Sequence, residues 1–296
     1  LGLIGLACFF TTFYCVKKMT KNTFSASIAA TLFTLCNYHL DCVLTRGAVG
    51  EIQAFIFIPF VIYGLYNFLY EDFSKPHIMA IGFIGLVLSH TITTFLVILL
   101  YIIILLINSP KFIKNYKLII RLTVTAGVVL LCTCYYWIPL LELMTQMDLA
   151  VSHPTRQVPD AAVSLKHLFA DVKMADGKVI GIGISVFMLL IFRLILKTTD
   201  LQNNKNQSNS KNLNLLKIGD TFAIAGTVLA FCATEIFPWE LFEKTPLNSI
   251  QFPWRLFIVA SILLSFAAGA YLTIVITKHI KKQALAISVV IAGLIC

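Results

Sequence analysis

The chain has 296 residues, of which 58% are apolar and 12% charged, and its mean hydropathy is +0.87. Soluble globular domains carry roughly 45–50% apolar and about 25% charged residues, so the composition excludes a soluble enzyme and defines an integral membrane protein. The formal net charge of +9 is unevenly distributed along the chain, and it reads as membrane topology and contact with anionic lipid, giving no reason to invoke nucleic acid.

About ten apolar segments follow one another: Leu1–Val16, Phe24–Tyr38, Ile52–Tyr70, Ile78–Leu88, Thr91–Asn108, Leu118–Leu140, Ile180–Leu196, Thr221–Phe237, Leu256–Thr277 and Ala284–Cys296. They predict an all-α, polytopic transmembrane bundle formed as a single domain over residues 1–296. The first segment is shorter than the roughly 20 residues a span needs. The chain opens on Leu1 without a methionine and closes inside an apolar run, so it reads as an internal fragment of a longer chain, with no signal peptide to be recognised. Phe24–Tyr38 is also short, at ~22 Å as a helix. The stretch from Ile78 to Asn108 is too long for one span, ~46 Å against a hydrocarbon core of ~30 Å. It must break, and Ser89 and His90 offer the interruption. Short and broken helices of this kind predict a cavity open to the outer face, with His90 in it, because backbone freed at membrane depth needs protein or water to satisfy it.

The links between segments orient the bundle. The links after the odd-numbered segments, with Arg193, hold 16 of the 23 Lys and Arg, which gives that face a balance of +12 against −3 on the other. Positive residues stay inside, so the basic face is cytoplasmic. Residues 144–178 and 237–255 are then outer loops. The first contains SHPTR at Ser152–Arg156 and the stretch SLKHLFADV, read as an amphipathic helix on the membrane surface. The second carries Pro238, Pro246 and Pro253, which exclude regular helix, and Trp239 and Trp254, which suit the headgroup layer. Residues 197–217 are polar and of low complexity and predict a flexible cytoplasmic loop; Lys111–Lys117 is a tight basic turn on the same side. Cysteines in the apolar runs read as small buried hydrophobes, and Cys36 and Cys42 are close enough to pair. No spacing of Cys, His, Asp or Glu resembles a metal site.

The most informative block is YHLDCVLTRGAVGEIQAFIFIPF, from Tyr38 to Phe60, which sets Asp41, Arg46 and Glu51 within eleven residues between apolar runs. Ionisable groups at a membrane are costly and point to a site; the plainer alternative is a capped helix end with a surface ion pair. His90, Glu142, His153, Arg156, Glu235, Trp254 and Arg255 fall on the same expected side. The chemistry that suits them is group transfer to an alcohol from a lipid-linked phosphate. A carboxylate takes the hydroxyl proton while cations hold the leaving phosphate as its charge grows. The catalytic candidates are Asp41, Glu51 and His90; the substrate- and phosphate-binding candidates are Arg46, Arg255, Trp254 and Glu142, since a guanidinium matches phosphate with two parallel hydrogen bonds. Arg255 has the alternative of a snorkelling anchor at the start of a long helix, and His90 that of satisfying its own helix break. The residues name no particular cofactor; a divalent cation is one that such chemistry would accommodate.

The Tyr38–Phe60 block, LSH at Leu88–His90, YYWIPLLE at Tyr135–Glu142 and IQFPWRLF at Ile250–Phe257 carry a resemblance. In that order the chain resembles the bacterial polytopic 6-pyruvoyl-tetrahydropterin synthase-related membrane proteins, similar to the YfhO-like family and more distantly to glycosyltransferases of the GT-C fold. The resemblance covers about Phe24 to Thr277. It implies a multi-pass protein of the bacterial cell membrane that transfers sugar from a polyprenyl-phosphate donor to a cell-envelope acceptor. Its partners would be that lipid-linked sugar and membrane lipid. A transporter or flippase of lipid-linked saccharide and a non-catalytic assembly protein are the alternatives. GT-C enzymes are expected to keep an essential acid in the first outer loop, and this chain begins beyond that point. Nothing in it looks like the soluble pterin synthase, whose zinc-binding histidines have no counterpart cluster.

Overall fold

The structure, a computed structural model, describes residues 2–110, 115–146, 158–170, 172–173, 179–188, 190, 192–196 and 207–278. The helices run as α1 (Gly2–Thr20), α2 (Thr23–Thr34), α3 (Asn37–Leu40) continued by a π-helical turn (Asp41–Arg46), α4 (Val49–Tyr70), α5 (Pro76–Ser89), α6 (Thr91–Ile107), α7 (Tyr116–Gln146), α8 (Ile184–Met188), α9 (Phe192–Ile195), α10 (Gln207–Cys232) and α11 (Leu256–Lys278). A two-stranded antiparallel ribbon pairs β1 (Val172–Lys173) with β2 (Val179–Ile180), Val172 opposite Ile180. Of the described helices, α1, α4, α7, α10 and α11 are long and apolar enough to cross a membrane, and α2 with the helix to Arg46 makes a sixth crossing if the bent pair is one span.

α11 is the centre. Its sequence is apolar on every side, so it is buried all round, against α10, α2 and α4. α1 and α7 are peripheral: Leu3, Phe10, Val124 and Leu131 point out of the bundle, as side chains do when lipid is the solvent. At the end of the bundle where α4 turns into α5, Asn67 and Tyr66 hold the Glu71 carboxylate (2.8 and 3.1 Å). At the same end Arg193 Nε and Nη2 donate to the two oxygens of Asp220 (2.6 and 3.1 Å), and the Tyr271 hydroxyl donates to the first of them, tying α9, α10 and α11 together.

The expected break at Ser89 and His90 is where α5 ends and α6 begins. The chain reverses there: the rings of Phe83 and Tyr101 lie 5.2 Å apart, whereas a continuous helix would separate them by ~27 Å. The Tyr101 hydroxyl donates to Val61 O of α4 at 2.6 Å, and Gly82 of α5 rests on the same Val61. α4, α5 and α6 are thus packed at one level, with the α5–α6 reversal beside the start of α4.

Other expectations are corrected. Phe24–Tyr38 is not one helix: α2 is short and ends at Thr34, the chain bends by 47°, and helix resumes at Asn37 and runs to Arg46. The bend falls at Cys36, whose ψ of 145° is extended. The Ile180–Leu196 segment is not one span; it holds β2 and the short helices α8 and α9, whose Val186 and Phe192 are buried in the bundle. Within SLKHLFADV, Leu165–Leu168 form a 3₁₀ turn instead of a surface helix. Leu168 and His167 are buried, and the chain beside them is hydrogen-bonded to Ala233 and Glu235, so this stretch plugs the bundle end. The prolines of the 237–255 link do exclude α-helix, giving 3₁₀ turns at Trp239–Phe242, Pro246–Ile250 and Pro253–Arg255. Residues 207–217 are helical, not a flexible loop, because Leu216 and its neighbours pack on the bundle as the first turns of α10. His153, Arg156, Lys111, Lys114, residues 197–206 and the tenth segment lie outside the described residues.

Candidate functional site

Glu51 sits in the first turn of α4, and only 3% of its side chain is exposed. Five donors converge on it. Arg46 donates Nη1 to Oε2 (2.7 Å) and Nη2 to Oε1 (3.2 Å), the paired geometry of a guanidinium on a carboxylate. Arg255, at the other end of the sequence, donates Nε to Oε1 (3.1 Å). The Tyr38 hydroxyl and the Cys42 thiol donate to Oε2 (3.1 and 3.3 Å). A carboxylate offers about four lone-pair positions, so Glu51 is saturated and has no vacant position to take a proton from an acceptor hydroxyl.

Local backbone explains how the donors arrive. The π-helical turn from Asp41 to Arg46 is wider than an α turn, and it ends at Gly47, whose φ of +59° is the left-handed conformation glycine adopts without steric cost. That turn aims Arg46 back across Tyr38 and Cys42, whose ring and sulfur it also touches (5.7 Å to the ring centroid, 3.4 Å to Sγ), and forward onto Glu51. Gly50 serves a different need. A Cβ there would lie 2.8 Å from Ser89 O and 3.3 Å from His90 Cδ2, so only glycine lets the start of α4 touch the α5–α6 reversal. RGAVGE therefore encodes one turn and one close approach.

His90 stands at that reversal and caps α6. The Thr93 N–H donates to its Nδ1 (3.3 Å), with the Thr93 hydroxyl 2.8 Å away. With Nδ1 accepting, the neutral ring carries its proton on Nε2, and Nε2 faces Glu51 Oε1 at 4.0 Å, too far for a hydrogen bond. Arg255 is placed by the loop before α11: its Nη1 donates to Ile250 O (2.7 Å) and Gln251 Oε1 (3.0 Å). Its guanidinium lies over the Phe252 ring (5.0 Å), which stacks on Trp254 (4.5 Å). Among the described residues Arg255 Nη2 and His90 Nε2 have no hydrogen-bond partner, and Arg255 Nε and His90 Nε2 lie 3.1 and 4.0 Å from the same Glu51 Oε1. The ion pairs leave one positive charge uncompensated on two guanidiniums and a carboxylate.

The structure thus brings together Arg46, Glu51, His90 and Arg255. Asp41 is buried nearby in sequence, but its Oδ2 accepts the Gly181 N–H at 3.1 Å, which anchors the chain after β2. Glu142 is apart: it is exposed on α7, and its carboxylate accepts from Gln146 of the same helix. Trp254 and Trp239 are corrections. They are 1% and 3% exposed, so they belong to the protein interior and not to a headgroup layer. The Trp239 indole donates to Cys232 O. Cys36 and Cys42 are unpaired thiols, because Cys42 faces Glu51 and Arg46. Tyr38, Cys42 and Gln251 are the site residues that sequence reasoning missed. The first two carried a signal, since Tyr38, Cys42 and Arg46 are spaced by four and share a helix face.

The fold and this cluster define a multi-pass membrane protein with a buried, cation-rich ionic centre at one end of its bundle. The chain belongs to the 6-pyruvoyl-tetrahydropterin synthase-related family, a family of membrane proteins, whose model matches residues 2–296. No curated protein and no solved structure matches it. Among the described residues no three His, Cys, Asp or Glu side chains gather as a metal site would require.

Proposed function

We propose that this protein is a membrane-embedded glycosyltransferase of the GT-C type, which takes a sugar from a polyprenyl-phosphate donor on the outer face of a bacterial membrane. The observation that carries the reading is the pair of open donors, Arg255 Nη2 and His90 Nε2, beside an ionic centre with an excess positive charge. Such donors are what a phosphate needs as it leaves. When the bond between the sugar carbon and the phosphate oxygen breaks, the bonding electrons go to the phosphate, and its new charge is met by groups already fixed in place. Arg46 and Glu51 do not touch the phosphate in this scheme; they hold Arg255 and keep the desolvated charges in balance. The carboxylate that takes the acceptor's hydroxyl proton is a separate group, because the lone pairs of Glu51 are filled.

The test is transfer of labelled sugar from a polyprenyl phosphate in membranes containing the full-length protein. Arg255→Lys keeps the charge but loses the planar fork, so it should slow transfer nearly as much as Arg255→Ala, by roughly 10- to 150-fold for a charge-assisted hydrogen bond. Wild-type rates in both variants would reduce Arg255 to an interface anchor. Movement of labelled donor across the membrane with no glycosidic product would make the protein a transporter of lipid-linked saccharide.

A further inference from the structure

The loop that delivers Arg255 contains a strained backbone. Gln251 has φ +64° and ψ −42°, outside the small left-handed region that side chains tolerate, which lies at positive ψ. The Phe252 N–H donates to Ile250 O at 2.7 Å across it, so Gln251 is the centre of a γ-turn with positive φ, the rare and strained form. Among the described residues three other non-glycine residues have positive φ, Lys21, Asp72 and Phe73, and none of them bonds a residue of the ionic centre.

Glycine would occupy this position at no steric cost, yet a glutamine stands there and both halves of it are used. The turn folds Ile250 O towards Arg255 Nη1 (2.7 Å), and the side chain brings Oε1 to the same nitrogen (3.0 Å). Nε is held by Glu51 (3.1 Å) and the guanidinium plane by Phe252. With Nε and Nη1 committed and the plane fixed, the one nitrogen left to present is Nη2. Strained residues persist where the surroundings over-determine them, and a site that must hold a donor ready before its ligand arrives is such a place.

We propose that Gln251 is a positioning residue: its strained turn and its carboxamide together lock the Arg255 guanidinium so that Nη2 faces an incoming lipid-linked phosphate. The inference rests on the phosphate-holding reading of Arg255.

The experiment is a double-mutant cycle on full-length protein in lipid nanodiscs, with decaprenyl monophosphate as the probe and thermal unfolding measured alongside. Gln251→Gly relieves the strain and removes the carboxamide, so it should melt at or above the wild-type temperature while binding the probe about fivefold more weakly or worse. Gln251→Leu should weaken binding to a similar extent when Arg255 is intact and by less than about twofold in the Arg255→Ala background, because a residue that acts through Arg255 has nothing to act on without it. Equal weakening in both backgrounds, or a Gln251→Gly variant that loses stability and binding together, would assign Gln251 to general packing and overturn the inference. If Arg255→Ala binds weakly and both Gln251 variants bind as wild type, the positioning role falls and the phosphate reading stands. If Arg255→Ala binds as wild type, the phosphate reading itself fails and takes this inference with it.

Discussion

At the scale of single residues, Glu51 decides the character of the site. A buried ion pair is weak evidence of stability, since desolvation offsets most of the attraction, but removing one partner leaves the other charges stranded. Glu51→Gln would leave two guanidiniums facing a neutral amide, so it should lower the unfolding free energy by about 3–5 kcal/mol. The triple replacement Arg46→Met, Glu51→Leu, Arg255→Met should recover most of that loss, because well-packed apolar groups of similar volume often match a buried ionic group. Thermal unfolding of the purified variants measures both, and a Glu51→Gln variant as stable as wild type would mean that water reaches the centre freely. Recovered stability without phosphate binding in the triple variant would separate the two roles of the cluster, and that separation is what a site retained for function should show. Trp254 gives the complementary lesson. It adjoins Arg255 and looks, in sequence, like a headgroup anchor, yet it is buried and serves as the platform beneath Phe252.

At the scale of elements, the site exists because three helix ends meet: the start of α4, the α5–α6 reversal and the start of α11. Gly50→Ala puts a Cβ against Ser89 O, a backbone atom that cannot step aside, and should cost about 1–3 kcal/mol as an overpacked contact while moving His90 away from Glu51. Gly47→Ala meets open space and should cost only the left-handed backbone penalty, about 1–2 kcal/mol. Thermal unfolding ranks the two; equal small losses would show that α4 and the reversal do not need their close approach. The reversal at Ser89 and His90 was legible because a helix length must match a bilayer thickness, and the lack of α-helix in the 237–255 link was legible from its prolines. The bend at Cys36 and the π turn after it were not, because neither follows from hydropathy or from a proline or glycine at that point. α8 and α9 were hidden for a related reason: Ile180–Leu196 is as apolar as a span, and composition alone does not distinguish a buried plug from a membrane helix. Glu51, Arg46 and Arg255 could be named from sequence, but their meeting on one carboxylate could not, since 204 positions separate Glu51 from Arg255 and nothing local records a long-range pair.

At the scale of the whole molecule, the bundle is organised about α11, with an ionic centre at one end and the Glu71 and Asp220 networks at the other. The two ends differ in kind. Asp220 is satisfied by Arg193 and Tyr271, as a structural lock would be, whereas among the described residues the Glu51 centre keeps two donors unspent. The most direct measurement is an electron cryo-microscopy structure of the full-length protein in nanodiscs saturated with a polyprenyl monophosphate. The expected result is a phosphate with oxygens at about 3 Å from Arg255 Nη2 and His90 Nε2, with the Arg46–Glu51 pair intact beneath it. A saturating lipid whose phosphate binds elsewhere on the bundle, with both donors still empty, would contradict the phosphate-holding role of this centre.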